Sequence, residues 1–249
     1  RYGEDMGRRV YERTLQFLLI LAMRKEFPRA RVCVRYSLGP GLFITVDGME
    51  EPFNEEAALK VETEMRRLVR LKLPLERRRI SIKEALSFYE QDGQADKAKL
   101  LKWRRFSYFD VYQIDGYMDY FYGEMAPDTS YADVFRVKYV HDGAVVLLMP
   151  RSDAPDVPSD YVDLPKLHAV FHQSDEWGKL MECATVNDLN THIQNGTIRE
   201  LVRINEALHD RGYADIADKI VQKGAKAVLV AGPSSSGKTT SAHRISTQL

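Results

Sequence analysis

An α+β domain, followed by a run of helices and the opening of an α/β unit, is the fold class the sequence predicts. Three observations carry it. Residues 7–150 read as helix, hairpin, helices and hairpins in that order, which suits an α+β domain. The stretch Met149 to Pro165 then breaks the pattern with four prolines and four aspartates. Finally, the apolar run "AKAVLV" (Ala225–Val230) stands directly before the Gly/Ser-rich "AGPSSSGKTT" and a helical pattern. The chain has 249 residues, 44% hydrophobic and 29% charged, with zero formal net charge, so bulk charge points to neither nucleic acid nor membrane. Its longest apolar run, Phe17–Met23, is too short to span a bilayer. Cys33 and Cys183 lie far apart, which fits reduced thiols in a cytoplasmic protein better than a disulfide framework. The sequence reads as a fragment, because it begins at Arg1 and ends inside a predicted helix.

The elements follow in order. Val10, Leu15, Leu18, Leu19, Ala22 and Met23 recur at helical spacing, predicting a helix over 7–27. "ARVCVRYS" and "GLFITVD" alternate around "LGPG", a hairpin signature. Asn54 is placed to cap a helix reaching about Leu71, and Ser81 with Glu84 forms a capping box before "ALSFY". A charged helix is expected over Gln94 to about Trp103. Two further hairpins are predicted at Asp115-Gly116 and Asp142-Gly143, because Asp-Gly suits the positive φ angles of a type I′ turn. Residues 151–165 read as an extended linker. Residues 166–224 read as a helical lead-in, with helices to Cys183, over Val186–Gln194 and over Ile198–Arg211. Thr197 with Glu200 looks like a capping box, and Gly212 is placed to end that last helix before a short one over "ADIADKIV". Residues 225–249 then begin an α/β domain with a strand, a loop and a helix.

The loop Gly232, Pro233, Ser234, Ser235, Ser236, Gly237, Lys238, Thr239, Thr240 fits the phosphate-cradling pattern G-x-x-x-x-G-K-[ST]. Successive backbone N–H groups would wrap a triphosphate, Lys238 would reach its outer phosphates, and the Thr239 hydroxyl would ligate Mg²⁺. The expected cofactors are therefore ATP and Mg²⁺. Phosphoryl transfer also needs acidic and nucleophile-positioning groups on later strands, so the catalytic residues are expected beyond Leu249 and the chain alone is expected to be inactive.

"VLVAGPSSSGKTTSAHRISTQL" (Val228–Leu249) resembles the opening of the uridine kinase/phosphoribulokinase family. "EEPFNEEAALKVETEMRRLV" with "LPLERRRISIKEALSFYEQDGQ" resembles the second N-terminal domain of threonyl-tRNA synthetase, the editing domain, over about Gly7–Pro150. Together they resemble a bacterial uridine kinase-like group with synthetase-like N-terminal domains, in which a small TGS domain usually comes first. The resemblance implies an ATP-dependent nucleoside kinase acting on a sugar hydroxyl. The editing pattern itself is not kept. Its H-x-x-x-H falls on Arg13 and Phe17, and its Cys-x-x-x-His falls on Phe121 and Met125. Arg and Phe cannot act as metal ligands, and none of the four is a general base at pH 7, so no zinc and no deacylase chemistry are expected. The alternative reading is a non-catalytic tRNA- or ligand-binding regulatory module derived from such a domain.

Three further features have plainer readings. His168 and His172 sit one helical turn apart in "HAVFH" but lack a third ligand nearby, so they read as unrelated surface histidines. The stretch Arg66–Arg79 holds seven basic residues and one acidic, a local basic face that makes an RNA contact the lesser expectation. The aromatic run Ser107–Tyr122 reads as strand filling rather than a base-stacking platform.

Overall fold

The computed structural model describes residues 2–141, 143–151 and 153–249. It forms two compact units, the first ending at Ser174 and the second running Asp175–Leu249. No helix among the described residues is long and apolar enough to cross a membrane.

The first unit is α+β, with two antiparallel sheets. Helix α1 (Asp5–Glu26) carries Asp5 in its first turn and Arg24 and Lys25 in its last, each opposing the end charge of the helix dipole. Strands β1 (Arg31–Leu38) and β2 (Gly41–Asp47) pair down to Leu38 opposite Gly41, leaving Gly39 at φ 57° and Pro40 to make the turn. Helix α2 (Glu55–Arg70) opens on Asn54, whose side chain accepts a bond from Ala57 N as expected. Strand β3 (Glu76–Ser81) leads into α3 (Ile82–Gln91), where the Ser81 hydroxyl accepts from Glu84 N, and then into α4 (Ala95–Leu101). Strands β4 (Tyr108–Ile114) and β5 (Tyr117–Asp119) meet across Asp115-Gly116 at φ 48° and 78°, the predicted turn. Strands β6 (Arg136–His141) and β7 (Ala144–Leu148) close the set. Asp142 of the predicted third turn lies outside the described residues.

The larger sheet runs β1-β2-β7-β6 and the smaller β3-β4-β5. Alternation along the strands gives each sheet two faces. Leu42, Ile44, Val46, Val145 and Leu147 turn to α1 and α2, and the same core takes in Tyr112 and Ile114 of β4. Phe109 and Val111, on the opposite face of β4, pack with Ala85 and Tyr89 of α3 and Ala98 and Leu101 of α4. The other face of the larger sheet, Phe43, Val146 and Leu148, is covered by Tyr161 and Leu164. The Pro/Asp-rich stretch is thus extended but held, with Ser159 N donating to Met149 O and Arg151 N to Val157 O.

Strand β3 was not foreseen. Its residues Glu76–Arg79 are exposed and do not alternate; the ladder to β4 makes the strand.

Helix α5 (Pro165–Leu180) crosses the division between the units, and α6 (Val186–Gln194), α7 (Ile198–Gln222) and α8 (Lys238–Gln248) belong to the second. Two expectations are corrected here. Thr197 makes no capping bond, because its hydroxyl is taken by His192 Nδ1 at 2.8 Å. The reciprocal capping box belongs instead to Thr185 and Asp188. Gly212 does not end its helix either. α7 runs on to Gln222 and stops at Gly224, φ 58°, where Gly224 N bonds Val221 O and Ala225 N bonds Ile220 O in a Schellman closure. A mid-helix glycine costs only about 1 kcal/mol, and Tyr213 and Ala217 beyond it pack in the second unit, the Tyr213 hydroxyl lying 3.3 Å from Ser241 Oγ.

The strand expected at Ala225–Val230 is not formed, and Leu229 is 95% exposed. A lone strand leaves its backbone groups unpaired, and no neighbouring strand is present in the second unit among the described residues. The predicted α/β domain is therefore represented by loop and helix alone.

Candidate functional site

The positions singled out by the editing resemblance are brought together. Arg13 and Phe17, one turn apart on α1, face residues 121–126. The Phe17 ring lies 5.2 Å from the Phe121 ring, centroid to centroid, and 5.7 Å from that of Tyr117. Arg13 Nη1 donates to Glu124 O at 2.6 Å, and Ala126 N donates to Thr14 Oγ1 at 3.0 Å. Phe17 and Met125 are buried. The place holds an apolar plug roofed by a guanidinium. Among the described residues, no group of three His, Cys, Asp or Glu side chains is gathered to hold a metal ion.

The histidine reading is corrected in part. His168 is not a solitary surface residue. Its Nδ1 lies 2.7 Å from Tyr36 Oη, and its Nε2 lies 3.1 Å from His141 Nε2. A register irregularity between Val34 and Tyr36 turns Tyr36 to the outer face of the sheet, where its ring stacks on Phe171 of α5 at 4.1 Å. The His168 pKa is lowered, first by burial and then by the neighbouring charges of His141 and His172.

The basic face is mostly neutralised at home. Arg66 pairs with Glu62, Arg67 with Glu64, and both Arg77 and Arg79 with Asp110. Those two guanidiniums hold the Asp110 carboxyl down at about 2.

The aromatic run does more than fill strands. Phe109 and Tyr120 stack at 4.5 Å, and together with Tyr89 and Trp103 they line a cavity of about 390 Å³ that also takes Lys97 and Arg104. The Tyr89 hydroxyl and Arg104 Nε are buried without a hydrogen-bond partner. Sequence reasoning missed Tyr89, Trp103 and Arg104 as partners of this run; a signal existed only in the aromatic and basic character of "KWRRFSYF" (Lys102–Phe109).

The phosphate-loop residues lie together in the second unit. Gly237, at φ 78°, precedes the first turn of α8, Ser235 takes φ 59°, and Lys238 Nζ folds back onto Pro233 O at 2.5 Å. A Cβ on Gly232 would stand 2.9 Å from Ser236 Oγ, so a larger residue there would have to displace that hydroxyl. Thr239 and Thr240 follow on α8.

No family model matches the chain. A threonine–tRNA ligase of Carboxydothermus hydrogenoformans is 28% identical over 144 residues, 55% of this chain and 22% of its own length. That of Lawsonia intracellularis is 26% identical over 135 residues, 54% of this chain and 21% of its own. That of Geobacter sp. is 27% identical over 120 residues, 48% and 19%. About half of this chain is similar to threonine–tRNA ligases. The chain spans about a fifth of the length of these relatives. The comparison corrects the nucleoside-kinase expectation, since the relatives are ligases by name and none of those named is a kinase. The α+β fold of the first unit, with its two small antiparallel sheets, is compatible with a ligase-derived domain.

Proposed function

We propose that the first unit is a tRNA-binding module derived from a synthetase editing domain, one that holds RNA without hydrolysing its ester. The observation that carries this reading is the packing at Arg13, Phe17, Phe121 and Met125, in a chain whose relatives are threonine–tRNA ligases. A hydrolytic site needs a positioned base or a metal-activated water. In this chain the buried Phe17 ring, in contact with Phe121, and an Arg–carbonyl bond stand at the residues matched to that pattern. Two cysteines left as thiols are in keeping with a cytoplasmic setting. The reading is tested by filter-binding titration of the whole chain with tRNA, alongside incubation with mischarged tRNA. Saturable binding with no ester loss is expected. Absence of binding at low salt, or zinc-dependent deacylation, overturns it.

The loop Gly232–Thr240 supports a second, separate element of function, the holding of a nucleotide phosphate such as that of ATP with Mg²⁺ on Thr239. Its support is the curl at Ser235 and Gly237 with Lys238 at the helix start. Titration with a fluorescent ATP analogue and Mg²⁺, against Lys238→Ala, reads it directly; equal signals from the two proteins would discard it.

A further inference from the structure

The cavity beside α4 has the features of a ligand site in its own right. It is about 390 Å³, within the roughly 300–1,000 Å³ range of small-molecule sites. Two cations, Lys97 and Arg104, line it, and no acidic side chain does. Lys97 is already engaged with the buried Asp119 at 2.5 Å, whereas Arg104 has no carboxylate partner among the described residues. The Arg104 guanidinium lies 4.8 Å over the Phe109 ring. Two polar atoms at the cavity are orphaned: the hydroxyl of Tyr89, a residue 1% exposed, and Arg104 Nε. Burial, reinforced by the Asp119 carboxylate, pushes the Tyr89 phenol up, so it keeps its proton and stays a donor. Leaving such donors unmet is unfavourable, and a ligand acceptor would relieve that cost. Trp103 and Tyr122 line the same cavity with exposed rings.

We propose that this cavity binds a nucleotide, its base stacked against Trp103 and Tyr122, its acceptors met by Tyr89 and Arg104, and its phosphate drawn by the Arg104 charge. A base offers what the lining lacks, a flat π-face together with ring-nitrogen and carbonyl acceptors. Arg stacked on an aromatic supplies both cation–π and ionic attraction. The nucleotide is either a free mononucleotide or the terminal nucleotide of an RNA strand. The proposal does not depend on the tRNA reading above.

The chain has two tryptophans, Trp103 and Trp177. In a Trp177→Phe background, Trp103 fluorescence reports the cavity alone. Titration of that whole chain with AMP, with tRNA and with tRNA trimmed of its 3′-terminal nucleotides is expected to give saturable quenching by at least one of them. Quenching by AMP identifies a free nucleotide as ligand. Quenching by intact but not trimmed tRNA identifies the RNA terminus. Quenching by AMP without any tRNA binding leaves the cavity proposal standing and removes the tRNA module. Arg104→Ala and Tyr122→Ala are expected to weaken binding roughly tenfold. Tyr89→Phe is expected to weaken it while keeping or raising Tm, since it deletes an unmet buried hydroxyl. No saturable quenching by any of the three ligands overturns the proposal, as does binding unchanged in both Arg104→Ala and Tyr89→Phe.

Discussion

Phe17 occupies the turn of α1 where a catalytic histidine is expected from the editing resemblance, and its burial makes the substitution structural as well as chemical. Its ring contacts those of Phe121 and Tyr117, and no part of it is exposed. Phe17→Ala is therefore expected to cost about 3–5 kcal/mol, read from urea denaturation midpoints. A loss under about 1 kcal/mol would show that the site collapses freely. Gly41 is the other residue with no slack. A Cβ there would lie 2.5 Å from Val146 Cγ1 and 2.9 Å from Leu147 O, the second a backbone atom of the paired strand. Gly41→Ala should destabilise by about 1–3 kcal/mol through overpacking, and a neutral thermal melt would count against that packing. Chemistry at single residues was legible where it is local. Asn54, Ser81 and Asp115-Gly116 act on backbone groups within three residues of themselves. Thr197 failed because its hydroxyl had a competing partner in His192, from the preceding helix. The convergence of Phe17 with Phe121 depends on the fold, so only the resemblance indicated it.

At the scale of elements, periodicity found α1, α2 and the hairpins, since each shows an apolar face at its own spacing. It missed β3, which shows almost none, and it cut α7 at Gly212, where tertiary packing outweighs glycine's local cost. It could not foresee that the start of α5 seats on the outer face of the larger sheet, because the seat is made by Tyr36, and Tyr36 reaches that face only through the strand irregularity. The seat carries a pH dependence. His168 is flanked by His141, His172, Tyr36 and Asp163, and its pKa lies below the ordinary 6.5. The unfolded chain takes up the proton first, so the stability contributed by neutral His168 is full above pH 6.5 and is lost as the pH falls through the lowered value. Urea midpoints should drop between pH 7.5 and 5, and His168→Gln should flatten that drop. A slope indifferent to the substitution would assign the effect elsewhere.

For the whole molecule, zero net charge conceals how the basic groups are spent, and this decides what kind of RNA contact the chain can make. Seven basic residues fall in Arg66–Arg79. Sequence alone suggests that they form a charged face, because their acidic partners Glu62, Glu64 and Asp110 become neighbours only through helix turns and strand pairing. If all seven met phosphates, the logarithm of the binding constant would fall with the logarithm of salt at a slope of about −6. Arg66, Arg67, Arg77 and Arg79 are held in ion pairs, which leaves three and a slope of about −3 or shallower. Asp110 binds two of these arginines, and with its carboxyl held at about 2 it stays ionised at every pH at which RNA binding is measured. Asp110→Asn should release Arg79, while Arg77 keeps its pair with Glu124, and steepen the slope by about 1. A wild-type slope near −6 would mean that the intramolecular pairs open to the RNA, and the contact would then be a broad basic face. A shallow slope steepened by Asp110→Asn would place the recognition in stacking and hydrogen bonding instead, the kind of contact that the cavity at Trp103 and Arg104 is built to make.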